Sequence, residues 1–245
     1  MFQLIAKALA DEATATDAAA EVAEATPSWF QTAFKKFASF PLWAWILVAV
    51  LLVGGFIAYK AIKGSKKTVW STKMISMGAI CMALSCVLSL IRLWSMPQGG
   101  SVTPASMMPM MLFAYVYGVG PGLALGAVYG VLQYILGPWF VSVPQVLLDY
   151  PIAFAMTALA GLFRNMKDER VGLSLGVIVA CIGRFVAAVA SGVIFFAEYA
   201  EGTGMSPMVY SISYNGSYML WECIICVVLS VLVGGRLVRE LKKNA

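Results

Sequence analysis

The sequence predicts an all-α, polytopic membrane protein with seven apolar helices: one standing apart near the N-terminus and six forming a compact unit. Three observations lead there. Hydrophobic residues make up 61% of the chain and charged residues 12%, with a mean hydropathy of +0.84. A soluble domain carries about 25% charged residues, so this surface needs lipid around it. The apolar residues come in long continuous runs rather than short alternating segments. In lipid every backbone N–H and C=O must be paired internally, and runs of this kind select helices over a closed barrel. Finally, the Lys and Arg residues gather between the runs, in every second connection.

The first run spans about 42–59 and has Trp43, Trp45 and Tyr59 at its ends, where interfacial aromatics belong. A basic linker follows, with Lys60, Lys63, Lys66, Lys67 and Lys73. The remaining spans fall at about 74–92, 105–119, 121–137, 144–163, 172–196 and 207–234, the second and third of these six being short and Gly-rich. The chain thus divides into residues 1–73, with one helix and the linker, and residues 74–245, the six-helix unit. There is no clear internal repeat, which disfavours a secondary transporter built from inverted halves.

Orientation follows from the connections. Lys60 to Lys73, then Arg164, Lys167 and Arg170, then Arg236, Arg239, Lys242 and Lys243 lie on one side; the connections at 93–104, 138–143 and 197–206 carry no Lys or Arg. The positive-inside rule puts the basic side and the C-terminus in the cytoplasm, and seven crossings put the N-terminus outside. Residues 1–26 are Ala-rich and acidic and do not read as a cleaved signal peptide. The net charge of +5 is explained by this topology and is no sign of nucleic-acid binding.

Catalytic chemistry has little to stand on. The chain has no His, no G-x-x-x-x-G-K-[ST] phosphate loop and no nucleophile–base pair, so no catalytic residue, cofactor or metal site is expected. The five cysteines, Cys81, Cys86, Cys181, Cys223 and Cys226, all lie in apolar segments and read as small buried residues, although Cys223 and Cys226 form a C-x-x-C.

Polar groups inside a membrane are costly and mark function. Asp149 falls in the outer half of its span, Glu198 at the outer mouth, and Arg184 and Glu222 near mid-depth, where ion pairs of Arg184 with Glu222 or Asp149 are the structural alternative. The outer connections gather aromatics: Trp94, Trp139, Phe140, Tyr150, Phe196, Tyr199, Tyr210, Tyr214 and Tyr218, together with the amide of Asn215. An aromatic belt explains part of this, but it does not require Asp149 or Asn215. Aromatic faces with one carboxylate suit a flat cationic ligand, attracted by the ring quadrupoles and neutralised in a low-dielectric pocket.

Leu90-Ile91-Arg92-Leu93-Trp94-Ser95-Met96-Pro97-Gln98-Gly99-Gly100-Ser101, Tyr129-Gly130-Val131-Leu132-Gln133-Tyr134-Ile135-Leu136-Gly137-Pro138, Val146-Leu147-Leu148-Asp149-Tyr150-Pro151 and Tyr210-Ser211-Ile212-Ser213-Tyr214-Asn215-Gly216-Ser217-Tyr218 occur in that order. Together they resemble the thiamine-specific S component of energy-coupling factor transporters, over roughly residues 74–235. The resemblance implies a six-helix S-component bundle in a bacterial cell membrane that captures thiamine from outside. It also implies delivery with a membrane coupling subunit and two cytoplasmic ATPases. The family's binding positions map onto Trp94, Trp139, Asp149, Tyr150, Tyr210 and Asn215, with Asp149 as the anion and Tyr210 and Asn215 as hydrogen-bonding partners of the aminopyrimidine. Some members carry a His near Ala188, a Trp at Phe196 and a Glu at Asp149; Phe196 can still stack, and Arg184 could meet a phosphate. Ala79 and Ala83, four apart on the first helix of the unit, match a small-residue motif with which the family docks its coupling subunit. The alternatives are a self-sufficient secondary transporter for a small cationic aromatic solute, disfavoured by the scarcity of charge on the inner halves of the spans, and a membrane enzyme.

Overall fold

The computed structural model describes residues Trp70–Lys243; the helix expected at 42–59 and the basic linker up to Val69 lie outside the described residues. Six helical segments follow in order: α1 (Thr72–Leu90), α2 (Met108–Tyr117), α3 (Val119–Leu136), α4 (Val143–Phe163), α5 (Glu169–Phe195) and α6 (Pro207–Lys243). Five of them are long and apolar enough to cross a bilayer; α2 is a shorter apolar helix. Local sequence sets several of the starts. Ser71 Oγ accepts from Met74 N at 3.2 Å and Asp168 Oδ1 accepts from Arg170 N at 2.9 Å, while Ser206 caps α6, which opens on Pro207.

The third expected span, 105–119, differs from what forms. Only Met108–Tyr117 is helical, about 15 Å at 1.5 Å per residue, half the thickness of the hydrocarbon core. The preceding segment is irregular, and Ala105 stands at φ +61°. Irregular backbone at membrane depth is tolerated where protein surrounds it or where it lines a cavity. Both conditions hold here. Met108 through Val116 are all buried, and Met111, Leu112 and Tyr115 pack with Leu173, Val177, Ala180 and Cys181 of α5 and with Cys226 and Val238 of α6. The short helix is therefore the centre of the bundle.

The span at 143–163 is continuous but not uniform. Around Pro151 the helix widens over Leu148–Ile152, where Ala153 N–H reaches back five residues to Leu148 O, and it tightens over Met156–Phe163. Proline removes a donor and clashes with the preceding turn, and a one-turn widening relieves both. On α3, Gly122, Gly126 and Gly130 face this segment. A Cβ at Gly126 would stand 2.6 Å from Phe154 O, and one at Gly130 would run into the Tyr150 carbonyl. The two backbones touch because these positions carry no side chain.

The two ends of the bundle differ in charge. At one end Lys242 Nζ bonds Glu169 Oε1 at 3.0 Å, Arg164 lies against Gly118, and Arg170 against Gly235. The other end carries a two-stranded hairpin, β1 (Trp94–Ser95) and β2 (Ser101–Val102), with the turn at Gly137–Ser142 and the α5–α6 connection. Because α1 ends at Leu90, Arg92 falls in the connection and is a basic residue on this otherwise weakly charged end. The five cysteines are free; Cys81, Cys181 and Cys226 are buried in apolar packing.

Gly126→Ala is expected to force α3 from α4 and to cost about 1–3 kcal/mol, the usual penalty of overpacking a close contact. A lowered midpoint of thermal unfolding in detergent checks this; an unchanged midpoint would show that the contact can relax.

Candidate functional site

At the hairpin end the helices enclose a cavity of about 240 Å³, at the small end for ligand sites. Seven of the eight residues expected from the sequence line it: Trp139, Asp149, Tyr150, Arg184, Phe196, Tyr210 and Asn215. Trp94 does not. It lies on β1, 51% exposed, opposite Val102. Glu198 is exposed and also outside the lining.

The widened turn of α4 supplies Asp149 and Tyr150. Gln145, one turn earlier and buried, donates from Nε2 to Asp149 Oδ2 at 2.6 Å, and its Oε1 accepts from Val141 N at 3.0 Å. Tyr150 Oη accepts from Trp139 N at 3.1 Å and donates to Gly137 O at 3.0 Å, while its ring meets Tyr134 edge to face at 5.2 Å. The loop bearing Trp139 is thus held by side chains of the helix that bears the carboxylate.

The opposite wall comes from α6. Tyr210, Tyr214 and Tyr218 recur every four residues, with centroids 6.2 and 6.1 Å apart. Tyr214 Oη accepts from Gln98 N at 3.1 Å and Gly100 N at 3.3 Å, and Gln98 Nε2 reaches Tyr210 Oη at 3.4 Å. A Cβ at Gly100 would lie 2.6 Å from the Tyr218 ring; the glycine lets the hairpin close onto the tyrosines. Asn215 is buried between α5 and α6. Its Nδ2 donates to Ser211 O at 3.0 Å and its Oδ1 accepts from Tyr218 Oη at 2.9 Å, so a ligand would share an amide already engaged in packing. Phe196 and Tyr199 stack at 5.9 Å between the two walls.

Neither ion pair considered for Arg184 forms. Among the described residues no carboxylate oxygen lies within 4.0 Å of it. Its guanidinium sits 4.4 Å from the Phe154 ring centroid and donates to Met107 Sδ. Glu222, 2% exposed, accepts from Thr103 N at 2.7 Å, Thr103 Oγ1 at 2.6 Å and Ser106 Oγ at 3.3 Å. It takes the backbone N–H that an α-helix would have satisfied and so holds the irregular segment before α2. Hydrogen bonds, rather than a counter-charge, keep this carboxylate buried.

Sequence reasoning ranked ionisable residues and therefore passed over Gln145, Gln98 and Gln133. The four-residue spacing from Gln145 to Asp149 was visible, and so was the tyrosine repeat on α6. What the spacing could not tell is which faces meet. Among the described residues no cluster of His, Cys, Asp and Glu could hold a metal ion.

Helices of membrane-crossing length, with an aromatic cavity set into one end of their bundle, define a polytopic membrane protein with room for a small molecule. Comparison with known proteins makes the class specific. Residues 75–240 match the model of a family described as thiamine transporter protein. The thiamine transporter ThiT of Bacillus subtilis is 34% identical over 179 residues, covering 68% of this chain and 92% of that protein. ThiT of Lacticaseibacillus paracasei is 29% identical over 137 residues, covering 50% and 68%. A solved structure of ThiT from Listeria monocytogenes has the same fold, with a TM-score of 0.57 at 24% identity over 70% of this chain and 96% of that one. The chain belongs to the thiamine transporter protein family, whose members are transporters and not enzymes.

Glu222→Ala is expected to strand the Thr103 N–H and to lower stability by about 1–3 kcal/mol. Thermal unfolding of the purified protein checks it; no loss would mean that another acceptor reaches Thr103.

Proposed function

We propose that this protein captures thiamine at the outer face of a bacterial membrane and hands it to an energy-coupling factor module, a membrane coupling subunit with two cytoplasmic ATPases. The observation that carries the binding half is Asp149, presented by the widened turn of α4 into an aromatic cavity in a chain of the thiamine transporter protein family. Thiamine combines a thiazolium cation with a flat aminopyrimidine. Asp149 neutralises the cation, Phe196 and Trp139 offer faces, and Tyr210 and the remaining lone pair of Asn215 Oδ1 read the pyrimidine. The cavity opens at the end opposite Arg164, Arg170 and Lys242, and by the positive-inside rule that end is outside.

The delivery half rests on α1. Its inward face is Met74, Gly78, Cys81 and Ser85, while Ala79 and Ala83 are exposed. They form a shallow stripe that another helix can approach closely. Residues 1–73, with the helix expected at 42–59, form a separate N-terminal domain in this proposal.

The first test is titration of the purified chain with thiamine, followed by quenching of Trp fluorescence. Tight saturation that pyridoxine and riboflavin do not reproduce supports the reading; no response in folded protein overturns it. Asp149→Asn is expected to lose at least about 1.5 kcal/mol of binding, more than tenfold in Kd, as a charge-assisted contact contributes about 1.5–3 kcal/mol. Replacing Ala79 and Ala83 together with Trp is expected to leave thiamine binding intact and to abolish ATP-driven uptake in proteoliposomes with the coupling module. Uptake at the unaltered rate would remove the stripe from docking.

A further inference from the structure

A carboxylate that serves as a counter-ion must be aimed, and α4 carries a device for aiming it. We propose that Gln145 is a positioning residue. It holds the Asp149 carboxylate toward the cavity and ties it to the loop bearing Trp139, so that the charge and one aromatic wall are set together. The inference rests on the reading of Asp149 as the counter-ion.

Gln145 is 1% exposed. A buried carboxamide is costly unless both its ends are bonded, and an aliphatic residue would fill the same space without that cost. Here both ends are used. Oε1 accepts from Val141 N at 3.0 Å, and only the oxygen of the amide can do so; the NH₂ is therefore turned to Asp149 Oδ2, 2.6 Å away. The orientation is dictated by the Val141 N–H, not chosen freely. Tyr150 clamps the same loop from the next residue through Trp139 N and Gly137 O.

The charges around Asp149 explain why aim matters. Arg184 of α5 lines the same cavity, and among the described residues it has no carboxylate oxygen within 4.0 Å. Glu222 of α6 also lines it but is occupied by Thr103 and Ser106. Freed from Gln145, Asp149 is drawn to Arg184, and a carboxylate paired there is spent before a cationic ligand arrives. Gln145 keeps the two apart by holding Oδ2. Ser191 Oγ lies near the same carboxylate and makes no hydrogen bond to it in this structure.

The experiment measures binding of two ligands to the full chain in detergent: thiamine, and its uncharged isostere in which a thiophene replaces the thiazolium. Gln145→Met is expected to weaken thiamine by about tenfold, the scale of one charge-assisted contact, and to change the isostere by no more than about twofold. In an Asp149→Asn background, Gln145→Met should have no further effect beyond about twofold, because two residues acting through one contact are not additive. Equal weakening of both ligands would mean that Gln145 only supports the fold, and would overturn the proposal. So would unchanged thiamine binding. If Asp149→Asn alone leaves thiamine affinity intact, the counter-ion reading falls and this one with it. If Asp149→Asn weakens thiamine and Gln145→Met does not, only the positioning role falls. Val141→Pro keeps Gln145 and deletes the N–H that orients it. It serves if Gln145→Met does not fold, with the same selective loss of thiamine expected and equal loss of both ligands as the overturning result.

Discussion

Inside a bilayer no water stands ready to bond a backbone N–H that leaves the helical pattern, and each such group must find a partner within the protein. Among the places where the described chain leaves the pattern on its membrane-spanning path are the segment before α2, the turn before α4 and the widened turn of α4 itself. The first two are stitched by side chains. Glu222 takes Thr103 N, Gln145 takes Val141 N, Tyr150 takes Trp139 N, and at Pro151 there is no N–H to satisfy. These stitching side chains all line the cavity. The polar groups that make irregular backbone tolerable are the same ones that give the cavity its chemistry.

Close packing determines where the irregular places can be. α3 brings Gly126 and Gly130 against the α4 backbone, and the contact is with carbonyls near the widened turn. A side chain on α3 would hold the two helices apart and move Asp149 and Tyr150 away from the α5 and α6 walls. α2 acts in the same sense from the centre. Being too short to cross alone, it leaves the rest of its path to the segment 101–107, whose Ser101, Thr103 and Ser106 line the cavity.

The cavity separates its charges. Glu222 is saturated by hydrogen bonds, Asp149 is held by an amide and Arg184 rests on Phe154. A bundle that paired Arg184 with Asp149 would leave that carboxylate already neutralised. In the proposed function, a carboxylate kept available in a low-dielectric site selects a cation over an uncharged relative of the same shape. Around it, aromatic rings provide contact area at small cost in conformational entropy, and the hairpin tied to Tyr214 provides cover.

By itself the sequence determined the class, the helix count of the unit, the charge bias of its ends and seven of the residues that line the cavity. The physical reason is that lipid enforces simple rules. Apolar length, interfacial aromatics and Lys/Arg bias act locally and can be read residue by residue, and an ionisable residue such as Asp149 or Arg184 is conspicuous because it is costly. Tertiary structure alone decided the rest. That Trp94 points away while Trp139 lines the cavity depends on how a hairpin and a loop fold back. That Arg184 pairs with neither acid and that Glu222 serves a backbone N–H depend on contacts between residues as far as 119 apart in the chain. Such pairings are set by how helices pack face to face, and hydropathy, which records each residue's preference for lipid, carries no information about its partner.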